Sequence, residues 1–468
     1  MSFGIGALCR PITCVVLCTA VMLTSLPAKT GAQEAPPPPQ SEPPAAAPSD
    51  QPAASEKAPD ATQAAEPAAA GSEADEKAKG ERERAAAKPM PGAEKINIVL
   101  IRELHDRAPP LSLLDIPPAD DGIAGAKLAI QDNNTTGRFM KQEFVLDIVE
   151  SDKPEVLAAE AVKRADGGNG FFVLDVPPKT VLAIADALKD KDAVVFNAGA
   201  PDDDLREENC RTNVKHTAPA RSMLADALGQ YMAWKRWSKW FLITGPQPED
   251  KAFADAIKRA AKRFGARIVE ERNFAYEPGG RRTDGGFEQV QQQIPSFTQK
   301  APEHDVQVVA DEGGLFGEYF PYRTWDAKPV IGTAGLYPTS WHPAMEQWGA
   351  TQFQNRFKRI SGRTMRARDY DVWTAVRAVG EAATRKKSSN VKDLIGYMRA
   401  PEFEIAAFKG QKLTFRAWNG QLRQPILLTT AKLPVTVSPQ PGFLHQLTEL
   451  DTLGIDKPET KCTAYATP

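Results

Sequence analysis

The sequence predicts an α/β protein made of two similar units with a cleft between them, and three observations carry that prediction. Short runs such as Ile96-Asn97-Ile98-Val99-Leu100-Ile101 are apolar with little alternation, as in parallel strands covered on both faces. Stretches with apolar residues at helical spacing separate these runs, the pattern of right-handed crossover units. After Cys210 the same cycle starts again.

In chain order, the first cycle opens with a strand over 96–101. A helix follows from Gly122, with Ile123, Ala126 and Ile130 on one face and Asn133, Asn134 and Gly137 as expected stop signals. A strand over 144–149, a helix over 154–165, a strand over 170–174, a helix over 181–189 and a strand over 193–196 complete it. Loops 102–110, 175–179 and 197–203 then leave the strands' carboxyl ends on one rim, where open α/β sheets take their ligands. The second cycle reads as a helix over 222–236, a strand over 240–244, a helix over 249–264 and a strand over 267–271. A Gly- and Arg-rich loop at 279–286 and strands at 306–310 and 329–332 follow. Farther on, 371–384 and 391–399 read as helices, and 413–418 with 425–428 as a hairpin about Asn419-Gly420.

Residues 1–32 read as a secretory signal peptide, with Arg10 the only charge before the apolar stretch 12–26 and Thr30-Gly31-Ala32 offering small residues for cleavage. Residues 33–93 are Pro, Ala, Glu, Lys, Ser and Gln with almost no large apolar side chain, so a disordered linker is expected. Export to the periplasm agrees with the cysteines. Three of the five, Cys9, Cys14 and Cys18, leave with the signal, and Cys210 and Cys462 remain as one disulfide or as two buried thiols. A net charge of −2 does not suit a nucleic-acid binder. Without a CxxC or HxxxH pattern, a nucleophile elbow or a Walker loop, neither a metal, a required cofactor nor an enzyme is expected.

The stretch 122–139, the Asp175 loop, Asn197-Ala-Gly-Ala-Pro201, and residues 240–264 and 369–383 fall in an order that resembles the branched-chain amino-acid type (type I) of periplasmic solute-binding protein, across about 95–435. Residues 210–264 resemble more narrowly the subgroup associated with pyrroloquinoline-quinone-dependent alcohol catabolism. The resemblance implies two Rossmann-like lobes joined by a three-segment hinge: 94–216 plus 339–402, and 217–338 plus 403–440; residues 441–468 are extra to it, a tail expected to wrap the surface. It also implies a monomer that closes on a small solute and delivers it to an ABC permease and ATPase complex.

At the positions where amino-acid binders of that type carry small hydroxyl residues, tyrosines and an acid, this chain has Asp175, Pro177, Gly199, Pro201, Glu249, Gly313 and Ala334. That departure counts against an α-amino-acid ligand. The candidate ligand set is Arg102, His105, Arg107, Asp175, Lys179, Asn197, Gly199, Glu249, Asp311, Glu312, Arg323 and Trp341. Arginine forks suit carboxylates and an indole face suits a flat conjugated ring, so an anionic solute is expected, with pyrroloquinoline quinone as the leading candidate. Plainer readings stand beside these. Arg102 and Arg107 pair with Glu103 and Asp106 on a wet loop, and Asp202–Asp204, Asp311 and Glu312 are turn or cap residues. A non-transporting partner of a periplasmic quinoprotein dehydrogenase, or a binder of another organic solute, are the alternative functions.

Overall fold

The computed structural model describes residues 91–105, 116–275 and 290–466, so the expected signal peptide, most of the expected linker, Arg107 and the loop at 279–286 lie outside the described residues. The first sheet has the order β2-β1-β3-β4-β5, all parallel: β1 Glu94–Glu103, β2 Gln142–Ser151, β3 Phe171–Asp175, β4 Val194–Asn197 and β5 Val214–His216. Helices α1 Ile123–Met140, α2 Pro154–Asp166 and α3 Pro178–Ala187 make its crossovers. Because both faces are covered, Ile98, Val99, Leu100 and Ile101 are all fully buried, which is why β1 reads as a continuous apolar run.

Helix α1 runs through its expected stop signals to Met140 and ends at Lys141, which is left-handed at φ 55°. Asn133 is turned inward, donating to Val376 O at 3.0 Å. Gly137 allows close approach to β2, since a Cβ there would lie 2.5 Å from Gln142 O. These polar and small residues serve tertiary contacts, which outweigh local propensity.

Past β5, α4 Arg221–Trp234 opens the second unit, with β6 Lys239–Thr244, α5 Pro248–Arg263, β7 Arg267–Asn273, α6 Val290–Thr298, β8 Val306–Ala310, the short α7 Phe320–Arg323 and β9 Val330–Gly332. Its sheet is parallel in the order β7-β6-β8-β9. Next come β10 Tyr337–Thr339, α8 Ala350–Ser361, α9 Ala367–Lys386 and α10 Val391–Arg399. The small antiparallel strands β11 Ile405–Ala406, β12 Lys412–Phe415 and β13 Leu422–Arg423 follow, then β14 Ile426–Thr429 and β15 Pro434–Ser438.

Two expectations change here. The Asn419-Gly420 hairpin joins β12 to β13, whereas 426–429 pairs with β10 and β15. Phe403, Ile405, Ala407, Leu413 and Leu422 belong to the first core, so the chain returns to the second core near Ile426 and not at 403. Strand β14 feeds both cores by alternation, Leu427 into the first and Ile426 and Leu428 into the second.

The three segments that pass between the units, near 217–220, 337–341 and 421–426, are tied to one another. Arg206, 2% exposed, donates Nε to Gln421 Oε1 at 2.8 Å, Nη1 to Ala200 O at 2.9 Å and Asp202 O at 2.7 Å, and Nη2 to Ala218 O at 3.0 Å. Gln424 donates to Thr217 O at 2.8 Å. Lys409 donates Nζ to Ser340 O and, at 2.9 Å, to Pro425 O.

The tail does more than wrap the surface. Leu450 and Leu453 are buried, and Asp451 accepts from Arg416 at 2.9 Å and Arg423 at 2.8 Å. Cys210 and Cys462 form a disulfide, Cα–Cα 5.7 Å. No helix among the described residues is long and apolar enough to cross a membrane.

Removing the Arg206 guanidinium takes a donor from four buried or part-buried acceptors, of which Ala200 O and Ala218 O keep a second donor from Asn197 and Gln421. Arg206→Leu is expected to lower stability by about 3 kcal/mol or more, read as a drop in the denaturant midpoint; an unchanged midpoint would show that the crossovers do not need it.

Candidate functional site

In a sheet of order 2-1-3-4-5 the chain reverses direction between β1 and β3, and the crevice lies outside their carboxyl ends. Arg102 and Asp175 are register partners at those ends, with Arg102 Nε 3.6 Å from Asp175 Oδ2. The Arg102 Nη1 donates to Glu150 Oε1 at 2.5 Å, on β2, and to Ala119 O at 3.2 Å. From the first turn of α9, Arg368 places Nε 3.2 Å from Asp175 Oδ1 and donates Nη1 to Ala198 O. One carboxylate is thus held between two guanidinium groups, with side chains 12% (Arg102), 13% (Asp175) and 28% (Arg368) exposed.

Backbone comes bare to this cluster. A Cβ on Gly122, where φ is +82°, would lie 3.4 Å from Arg368 Cγ and 3.7 Å from Asp175 Oδ2. A Cβ on Gly199 would lie 3.2 Å from Arg368 Nη1 and 3.0 Å from Val176 N. Around it stands a ring of buried acids. Asp369 accepts from Gly122 N at 2.9 Å and from both terminal nitrogens of Arg363 at 2.6 and 2.9 Å. Burial, reinforced by the Asp369 charge, pushes Asp121 up to about 6. Burial pushes Asp371 up to about 7 against the pull of Arg368. Asp371 Oδ1 and Arg102 Nε are buried without a hydrogen-bond partner. Lys409, near Asp371, is pushed down to about 7 by its own burial.

The second sheet reverses between β6 and β8, so Gly245 and Asp311 continue from its register partners Thr244 and Ala310. Asp311 spends its carboxylate on a turn, accepting from the backbone of Leu315, Phe316 and Gly317 at 2.9, 2.8 and 2.6 Å. Asp250 accepts Glu312 N at 2.7 Å, and burial pushes it up to about 6. The Glu312 carboxylate takes a two-pronged pair from Arg221, 2.7 Å in each arm. Arg221 also donates Nη1 to Asp202 Oδ1 at 2.7 Å, on the first unit's loop after β4.

A family model described as a periplasmic binding protein matches residues 117–296. No curated protein sequence matches the chain. Among solved structures, a branched-chain amino acid ABC transporter periplasmic ligand-binding protein from Burkholderia xenovorans is 18% identical, with 73% of this chain and 95% of that one covered at a TM-score of 0.58. A periplasmic binding protein from Burkholderia mallei is 16% identical, covering 79% and 99% at a TM-score of 0.57. An ABC transporter solute-binding protein from R. palustris, in complex with benzoate, is 14% identical, covering 80% and 100% at a TM-score of 0.56. The chain has the type I periplasmic binding protein fold.

On that fold, the sequence-derived candidates separate into groups. Arg102, Asp175 and Gly199 meet at the first lobe's rim. Arg102 pairs with Glu150 and Asp175, not with Glu103, which accepts from Thr180 at 2.5 Å. Asn197 lies beneath, its amide spent on Ala200 O, His216 and the Gly199 and Ala200 N–H groups, so it shapes the loop. Glu312 stands on the second rim with Arg221, and Asp311 holds a turn. Lys179, Glu249 and Arg323 are exposed, and His105 is exposed with Nδ1 3.2 Å from Glu103 O. Trp341 leaves the set. It is 2% exposed, stacked on Tyr370 at 4.7 Å and edge-on to Phe353 at 5.3 Å, so burial of its indole in the first core takes up its faces. Residues the sequence did not single out, Arg368, Arg221, Glu150 and Asp371, complete the two rims.

A carboxyl with a raised folded-state pKa favours folding fully below its unfolded value of about 4 and loses that contribution as pH rises through the folded value. For Asp371 the loss is complete above about 7. Asp371→Asn removes the burden of the buried charge, so its thermal midpoint is expected to gain on the parent's between about pH 5 and about pH 8. Lys409, with its lowered pKa, acts in the opposite sense from about 7 upward, and the parent-to-variant comparison separates the two. Parallel pH profiles would place Asp371 in contact with solvent.

Proposed function

We propose that this chain is the solute-capturing component of an ABC importer, working in the periplasm and closing two lobes about a small organic carboxylate. The observation that carries the reading is the convergence of Arg102 and Arg368 on Asp175 at the carboxyl ends of β1 and β3. Guanidinium groups present five donors in a fixed fork. Asp175 orients both forks without using every donor, so a carboxylate can join them. Asp371, half-protonated near pH 7, does not oppose an incoming anion as a full charge would.

Two fold neighbours support the ligand class. One, from Desulfitobacterium hafniense, is described in complex with Leu and another with benzoate; these molecules have little in common beyond a carboxylate. Pyrroloquinoline quinone fits the carboxylate part of this reading. The Trp341 indole, packed in the core, offers it no ring platform, so it enters as one probe among several.

The test is calorimetric titration of the full-length protein with benzoate, leucine and pyrroloquinoline quinone. One-to-one binding of at least one is expected, weakened about tenfold or more by Arg102→Ala and by Arg368→Ala, since charge-assisted bonds are the strong ones. Saturable binding that ignores both substitutions would move the site away from β1 and β3.

A further inference from the structure

The cluster on β1 and β3 leaves unexplained a buried arginine between the loops at the carboxyl ends of the two sheets. Arg221 is the first residue of α4, is 4% exposed, and joins the loops at the carboxyl ends of the two sheets. Its side-on edge, Nε and Nη2, is filled by Glu312 at 2.7 Å in each arm, on the loop after β8. Its end-on edge holds Asp202 through Nη1 alone, at 2.7 Å, on the loop after β4. A bidentate carboxylate would fill both positions of that edge.

We propose that Arg221 couples solute capture to lobe contact: it clasps Asp202 to Glu312 in the free protein, and the carboxylate of an incoming solute takes the place of Asp202 on its end-on edge. This rests on the reading of the chain as a carboxylate receptor.

Asp202 is the partner built to leave. Its side chain is 24% exposed, and its loop does not depend on the clasp, because Arg206 holds Asp202 O at 2.7 Å and Arg221 N donates to Pro201 O at 2.9 Å. Glu312 is built to stay, with both oxygens on Arg221 and its own N–H on Asp250 at 2.7 Å. Exchanging Asp202 for a solute carboxylate preserves the charge beside Arg221, so the buried guanidinium is never left unpaired. The loop that carries Asp202 also carries Ala198, whose carbonyl accepts from Arg368, and Gly199, where a Cβ would lie 3.2 Å from Arg368 Nη1, so one loop touches both arginines.

A purely structural clasp and a displaceable one differ in sign. If Asp202 competes with the solute, Asp202→Asn removes the competitor. The full-length protein, titrated with benzoate, leucine and pyrroloquinoline quinone, is then expected to bind its best probe severalfold more tightly as Asp202→Asn and about tenfold more weakly as Arg221→Gln. Should Arg221→Gln fail to fold, Arg221→Lys keeps the charge, loses the fork, and is expected to weaken binding in the same direction. Unchanged or weaker binding by Asp202→Asn, in a parent chain that binds a probe and loses it with Arg102→Ala, overturns the exchange alone. A parent chain that binds none of the three probes overturns the exchange together with the receptor reading.

Discussion

The buried guanidinium of Arg206 ties two of the three crossovers between the sheets to the loop after β4. It gathers carbonyls of the loop after β4, of the first crossover and, through Gln421, of the third. Burial pushes its pKa down only to about 10, so it keeps its charge, and a charge this deep is tolerated because its fork is met by acceptors. Lys409 repeats the device between the second and third crossovers. Strand β14, by turning alternate side chains into the two cores, adds an apolar version of the same restraint. These ties hold the three crossovers to one another, so any hinge motion of the kind proposed would be taken up by torsions beside them.

Buried ion pairs are weak contributors to stability, because desolvation offsets much of their attraction. The Arg102–Asp175–Arg368 cluster is partly exposed and leaves a buried donor unpaired, which is poor economy for a structural element and good preparation for a ligand. Asp311 shows the contrast. Its carboxylate is used up by three backbone N–H groups, so it stabilises a turn and has little left to offer a solute.

The strands were legible in the sequence because both faces of each sheet are covered, which turns β1, β3, β6 and β8 into apolar runs. What local pattern could not reveal is where a polar residue finds its partner. Asn133 reads as a helix stop and instead bonds to α9, far along the chain. Arg368 lies just before the stretch that reads as a helix, on an unremarkable basic segment, and acquires its role only because α9 docks against β3. Trp341 looked like a ring platform because aromatic side chains serve ligands and cores equally well, and only packing against Tyr370 and Phe353 decides between them. Of the rim, sequence placed Arg102, Asp175, Gly199 and Glu312 on strand-end loops; their cationic partners Arg368 and Arg221 needed the fold.

Closure selected by a ligand requires the ligand to bind one arrangement of the lobes better than another, since equal affinity for both shifts nothing. A contact confined to Arg102 and Arg368 lies wholly on the first lobe and would raise affinity without favouring either arrangement. For the proposed capture to drive closure, the second lobe would have to supply part of the binding free energy. Among the charged groups at its strand ends, Asp311 and Asp250 are engaged by backbone N–H groups, and Glu312 is acidic and paired. Arg221 is a cation that pairs with acids of both lobes, Asp202 and Glu312. A solute carboxylate taken up on its end-on edge would be held by a residue already bonded to the second lobe, which is the condition for capture to favour one arrangement of the lobes.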